Sequence, residues 1–142
     1  NGEYIRMMDN ETLRVTLTDF YEEDKDVINF LQDKDINSIL DLAKTRMKTL
    51  VEFKNLILPK DPDLSLDEKN TAKVLMKNFV AIKSWNKETI LAGMRETLRE
   101  SKAKGSLLYK IITGYESGLP LPESLEILGK EESVRRITTS LA

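Results

Sequence analysis

The sequence contains no cysteine and no histidine. Together, those two absences remove thiol nucleophiles, disulfides, Cys/His zinc sites and the Ser-His-Asp arrangement. A chain free of cysteine also fits a reducing compartment. Proline and glycine are few, 4 and 6 in 142 residues. No glycine turn stands between two alternating apolar runs, so hairpin signals are missing. No apolar run approaches the roughly 18 residues that a membrane span needs. No signal-peptide pattern stands at the start. The opening NGEYIR carries no Met, so an excised piece of a longer protein is expected. Neither GxxxxGKS/T nor GxGxxG occurs, which leaves no loop of the kind that cradles phosphates. The stretch DKDINSILD departs from a calcium loop, lacking the required glycine and glutamate.

What remains is 40% apolar and 32% charged. That is enough apolar material for a real core, and the length suits one domain or two small ones. Net charge is −2, with a pI near 5.4. An RNA or DNA site would therefore have to be a local basic patch on an acidic background.

Helical spacing dominates. Asp9 or Asn10 can cap a helix whose Leu13, Leu17 and Phe20 share one face. Ile36, Ile39, Leu40, Ala43 and Met47 repeat the period, and Leu50, Phe53 and Leu56 or Ile57 do so again. LPKDPDLSLDE, rich in proline and aspartate, reads as a boundary. Beyond it, Ala72, Met76, Phe79 and Ile82 mark a long helix. Asn86 caps the next, with Trp85 packing inward and Ile90, Met94 and Leu98 as its buried face. Gly105 is expected to end that helix with a positive φ. A short apolar helix over 107–112 is stopped by Gly114. Pro122 opens a helix with Leu121, Leu125 and Leu128 on one face, and Gly129 ends it. Glu131 and Glu132 suit the first turn of a last helix that turns Val134, Ile137 and Leu141 to the core. The expected fold is all-α, a compact assembly of about seven to nine short helices.

The acidic stretches YEEDKD, DPDLSLDE and GKEES read as solvated surface or helix caps. No catalytic constellation is present, and no metal site is expected. The basic residues cluster more. Lys44, Arg46 and Lys48 sit close together, and Arg95 and Arg99 lie four apart on one helix face, followed by Lys102 and Lys104. Lys110, Arg135 and Arg136 add charge, with Tyr109 and Tyr115 nearby. Cations beside aromatic platforms suit single-stranded RNA loops, where phosphates take the charge and bases stack. Interleaved Lys and Glu on ordinary soluble helices give the same pattern.

Several segments occur in a telling order: NGEYIR, TLVEF at 49–53, Trp85 before a capped helix, KG at 104–105, TG at 113–114 and LEILGKEESVRRI near the end. That order resembles the C-terminal, anticodon-binding region of bacterial-type glutamyl-tRNA synthetases, class I aminoacyl-tRNA synthetases, over essentially the whole chain. The resemblance implies two small helical subdomains clasping the anticodon stem-loop of glutamate tRNA. Residues 1–60 would join the catalytic part to the anticodon-binding part, and residues 61–142 would form the second subdomain. It implies a cytoplasmic, monomeric protein that binds neither DNA nor membrane. The parent would be an ATP-dependent ligase, with magnesium. This fragment would hold no cofactor, since the HIGH-type and KMSKS-type signatures are absent.

The resemblance carries over to particular residues. Arg46, counted back from TLVEF, matches a family arginine that reads the third anticodon base, with Lys44 beside it. It implies a preference for C at that base, hence for glutamate over glutamine tRNA. Arg95 matches an arginine on the helix facing the tRNA, and would contact a phosphate or the loop. Leu121 matches an apolar residue near the first anticodon base. Before TG the chain is about one turn shorter than the family, and Tyr109 stands where the family has arginine. Either Lys110 supplies the charge, or Tyr109 stacks on a base, or both simply pack. The alternative to an RNA-binding module is a helical protein-interaction module with no RNA ligand.

Overall fold

Side chains of Asp9, Asp24, Ser65 and Asn86 cap four helix starts in the computed structural model, which describes residues 2–142. Asn1, the first residue of NGEYIR, lies outside the described residues. Among those residues there are ten α-helices, one 3-10 turn and no strand. Ten exceeds the expected seven to nine. The two additions are α1 (Gly2–Met7) and α3 (Lys25–Leu31). Each spans two turns or fewer, too short for a 3.6-residue apolar period to recur.

The chain divides between Leu58 and Pro59. The first unit holds α1, α2 (Asn10–Phe20), α3, α4 (Ile36–Lys44), the 3-10 turn Leu50–Glu52 and α5 (Phe53–Ile57). Asp9 caps α2, its carboxylate accepting the Thr12 N–H at 2.7 Å. Asp24 caps α3 through the Val27 N–H at 3.3 Å. Leu13 and Leu17 on α2 pack toward Ile39, Leu40 and Ala43 on α4, all buried. Phe20 does not complete that face. It is 51% exposed, and its neighbour Tyr21 is buried instead. At the end of a helix, a step of one residue turns the side chain by roughly 100°, and here the phenol has somewhere to go. Its hydroxyl donates to Leu50 O at 2.6 Å, lies 3.1 Å from Val51 O, and accepts the Lys54 N–H at 3.3 Å.

The second unit runs from Pro59 to Ala142. It contains α6 (Leu66–Val80), α7 (Lys87–Ser101), α8 (Gly105–Thr113), α9 (Leu121–Leu128) and α10 (Lys130–Ser140). Ser65 and Glu68 form a reciprocal cap on α6, and Asn86 and Thr89 do so on α7. Ala72, Leu75, Phe79, Ile90, Leu108, Ile111, Leu125 and Ile137 make one buried cluster. The α6 face is thus rotated slightly from the expected stripe: Leu75 is fully buried, while Met76 and Ile82 only pack against the cluster. Trp85 meets Phe79 edge-on at 5.3 Å and donates its indole N–H to Leu125 O at 2.9 Å.

Gly105 does not end α7. It opens α8, and Lys102 takes the left-handed conformation at φ 52°. The N–H groups of Lys102 and Ala103 both reach Leu98 O. A non-glycine residue there costs about 1–2 kcal/mol. Lys102→Gly is therefore expected to stabilise the second unit by about 1 kcal/mol in urea unfolding.

Candidate nucleic-acid interface

Each unit carries its own candidates. In the first, α4 ends at Lys44, and the chain turns sharply. Arg46 N–H and Met47 N–H both donate to Ala43 O, at 2.9 and 2.8 Å. Thr45 Oγ1 donates to Leu42 O at 2.7 Å. The apolar period had run on through this turn: Met47 lies beyond the helix yet is 1% exposed. Its burial pegs the turn and leaves Arg46 exposed beside it. Lys48 N–H donates to Glu52 Oε2 at 2.8 Å, which closes the far side. The first residue of α1 fits tightly behind: a Cβ on Gly2 would stand 3.2 Å from Lys48 Cγ and 3.3 Å from Met47 O. Half-buried Lys44 helps hold the Asp9 carboxyl below its usual range, after the larger effect of the Thr12 N–H.

Tyr21 is the support that sequence reasoning missed. No local pattern separates it from Phe20, because its partners lie 29 to 33 residues away. It fixes the 3-10 turn that follows the Arg46 turn. Tyr21→Phe is expected to cost about 1–3 kcal/mol by leaving buried polar groups unpaired. Burial, the largest influence, pushes the Tyr21 phenol up from its ordinary value. The folded state thus keeps this proton after the unfolded state has lost it. The contribution is intact below the usual phenol range and fades as pH climbs through the raised value. The stability gap between wild type and Tyr21→Phe should narrow at alkaline pH in urea titrations.

In the second unit, Arg95 is exposed on α7. No ion pair among the described residues involves it, whereas Arg99, one turn on, pairs with Glu96. On α8, Tyr109 is half-buried against the core, its ring edge 3.7 Å from where a Cβ on Gly118 would stand. Lys110 is already engaged: its Nζ lies 3.1 and 3.3 Å from the two carboxylate oxygens of Glu68 on α6. The Ser65 N–H and then Lys110 hold Glu68 below the usual carboxylate range. Leu121 is 2% exposed inside the core cluster, so its side chain offers no surface to a ligand. Arg46 and Arg95 are thus both exposed at the surface, Lys110 is held by Glu68, and Leu121 packs in the core.

A family model described as an anticodon binding domain matches residues 12–141. The chain belongs to the anticodon-binding-domain family. This anticodon-binding domain is similar to glutamate–tRNA ligase 1 of Fervidobacterium nodosum, at 28% identity over 99% of its length, covering 31% of that protein. The glutamate–tRNA ligase of Clostridium tetani is 32% identical over 96% of the domain, again covering 31%. The chain therefore spans about a third of the length of the curated relatives it matches. A crystal structure of a glutamate tRNA ligase from Elizabethkingia meningosepticum, in complex with its amino acid, shares the fold, with a TM-score of 0.69 at 18% identity. It covers 99% of the domain, and the domain covers 30% of it. No helix among the described residues is long and apolar enough to cross a membrane.

Proposed function

We propose that this chain is the tRNA-binding module of a cytoplasmic glutamate–tRNA ligase, engaging the anticodon stem-loop of glutamate tRNA and acting as a monomer. The observation that carries this reading is the anticodon-binding family match over residues 12–141. Arg46 lies exposed at a pegged turn in the first unit, where it would meet the third anticodon base, with Lys44 adjacent. Arg95 offers an exposed charge for the RNA backbone. Lys110 would act only if its Glu68 pair opens, Tyr109 would offer the exposed part of its ring to a base, and Leu121 would shape the site through packing.

Aminoacylation itself would belong to the rest of the ligase. The residues present do not fit ATP with magnesium. Among the described residues no three His, Cys, Asp or Glu side chains gather as a metal site, and the sequence has no phosphate-cradling loop.

The alternative, a protein-interaction module, draws on the neutralised cations: Lys110, Arg99 and Arg135 each carry a carboxylate partner. Titration of the 142-residue chain with a glutamate-tRNA anticodon stem-loop, at two salt concentrations, separates the two. Binding that weakens steeply with salt is expected for RNA contacts. Absence of saturable RNA binding at low salt removes the proposal and leaves the alternative.

A further inference from the structure

The second unit contains a basic cleft that the anticodon reading does not use. Its walls are the segment 59–62, the last turn of α8 at Ile111 and Ile112, and α10 at Arg135, Arg136 and Thr139. It encloses about 120 Å³, where one water needs roughly 10–15 Å³. A tetrahedral oxyanion therefore fits.

The charges in this cleft are unevenly satisfied. Arg135 spends two nitrogens on Glu132, bonding both of its carboxylate oxygens. Arg136 reaches the same carboxylate only through Nε, at 3.2 Å. One carboxylate thus serves two guanidinium groups. No other hydrogen bond of Arg136 exists among the described residues, so its terminal nitrogens keep their donors. Its side chain is only 18% exposed, and burial, the dominant influence, pulls its pKa below the ordinary value. A cation held out of water with half a counter-charge gains from an added anion. A planar fork also matches phosphate oxygens better than an ammonium does. Lys60 brings a third cation to the rim, its Nζ 4.5 Å above the Tyr115 ring. Asp61 offsets one charge there.

The geometry points to this cleft as a phosphate-binding site, with Arg136 as the principal ligand and Lys60 as its charged rim. The phosphate comes from an RNA backbone or from free phosphate. The inference concerns residues 59–142 alone, so it survives or fails separately from anticodon recognition.

The test titrates the 142-residue chain with inorganic phosphate, against chloride at equal ionic strength, followed by backbone and arginine side-chain NMR. Saturable shifts are expected at Ile112, Arg136 and Thr139 in phosphate only. Arg136→Gln should weaken phosphate binding about tenfold or more. Arg136→Lys, which keeps the charge, should retain part of it and guards against a folding defect. The second arm measures the salt dependence of stem-loop RNA binding. A slope shallower by about 0.7–0.9 in Arg136→Gln assigns the site to an RNA phosphate. An unchanged slope with intact phosphate shifts assigns it to free phosphate. Shifts that chloride reproduces, or that fall away from these residues, overturn the site even if RNA binds well.

Discussion

Arg46→Gln is expected to erase a preference of about 10- to 100-fold for stem-loops with C, rather than G, at the third anticodon position. Glutamate anticodons end in C, and glutamine anticodons end in G. The pairing edge of cytosine presents O2 and N3 as acceptors, while guanine presents N1–H and N2–H donors in the comparable place. A guanidinium has donors only. It bonds cytosine but is left facing donors by guanine, and an unpaired desolvated donor costs on the order of 1–3 kcal/mol. That is the source of the expected ratio. Glutamine carries both donor and acceptor, so it accommodates either base. The turn that carries Arg46 is pegged: Met47 is buried below it, and two N–H groups share Ala43 O. The check is fluorescence titration of wild type and variant with two RNAs differing at that one base. Equal wild-type affinities for both RNAs would sink the role of Arg46 and leave the fold untouched.

Gly114→Ala should produce the largest loss of stability. Gly114 ends α8 at φ 83°, a conformation that costs a residue with a Cβ about 1–2 kcal/mol. The surroundings add more. A Cβ at this position would lie 2.2 Å from Lys60 O and 2.5 Å from Lys60 Cγ. The backbone of Lys60 would have to retreat and would forfeit its N–H bond to Thr113 O, now 2.9 Å, for a further ~0.5–1.5 kcal/mol. A total of about 1.5–3.5 kcal/mol follows. For a unit of this size each kcal/mol lowers the melting temperature by roughly 4–8 °C, so calorimetry would register a fall of about 6–28 °C. A change within error would mean that the 59–62 segment moves freely.

Local chemistry was readable from the sequence wherever a single residue decided it. Asn86 caps α7, Gly114 stops α8, and Leu121, Leu125 and Ile137 reach the core, each because a cap, a positive φ or a 3.6-residue period acts within a few positions. Features set by distant partners were not readable. Tyr21 displaced Phe20 because of carbonyls some thirty residues on. Lys110 looked available until α6 brought Glu68 to it across 42 residues. Leu121 fitted a ligand-facing role by resemblance, yet the packing of α9 encloses it. Lys102 in a left-handed turn had no signal, since glycine stood three residues away and looked the better choice.

The clip between Lys60 and the end of α8 also governs how the chain can be dissected. A fragment started at Leu64 would keep every residue of the second core cluster, yet it would discard the backbone that closes over Thr113 and the side chain that shelters Tyr115. An excised fragment should instead start at Pro59. The four residues 59–62, which carry no helix of their own, act as a latch rather than as slack.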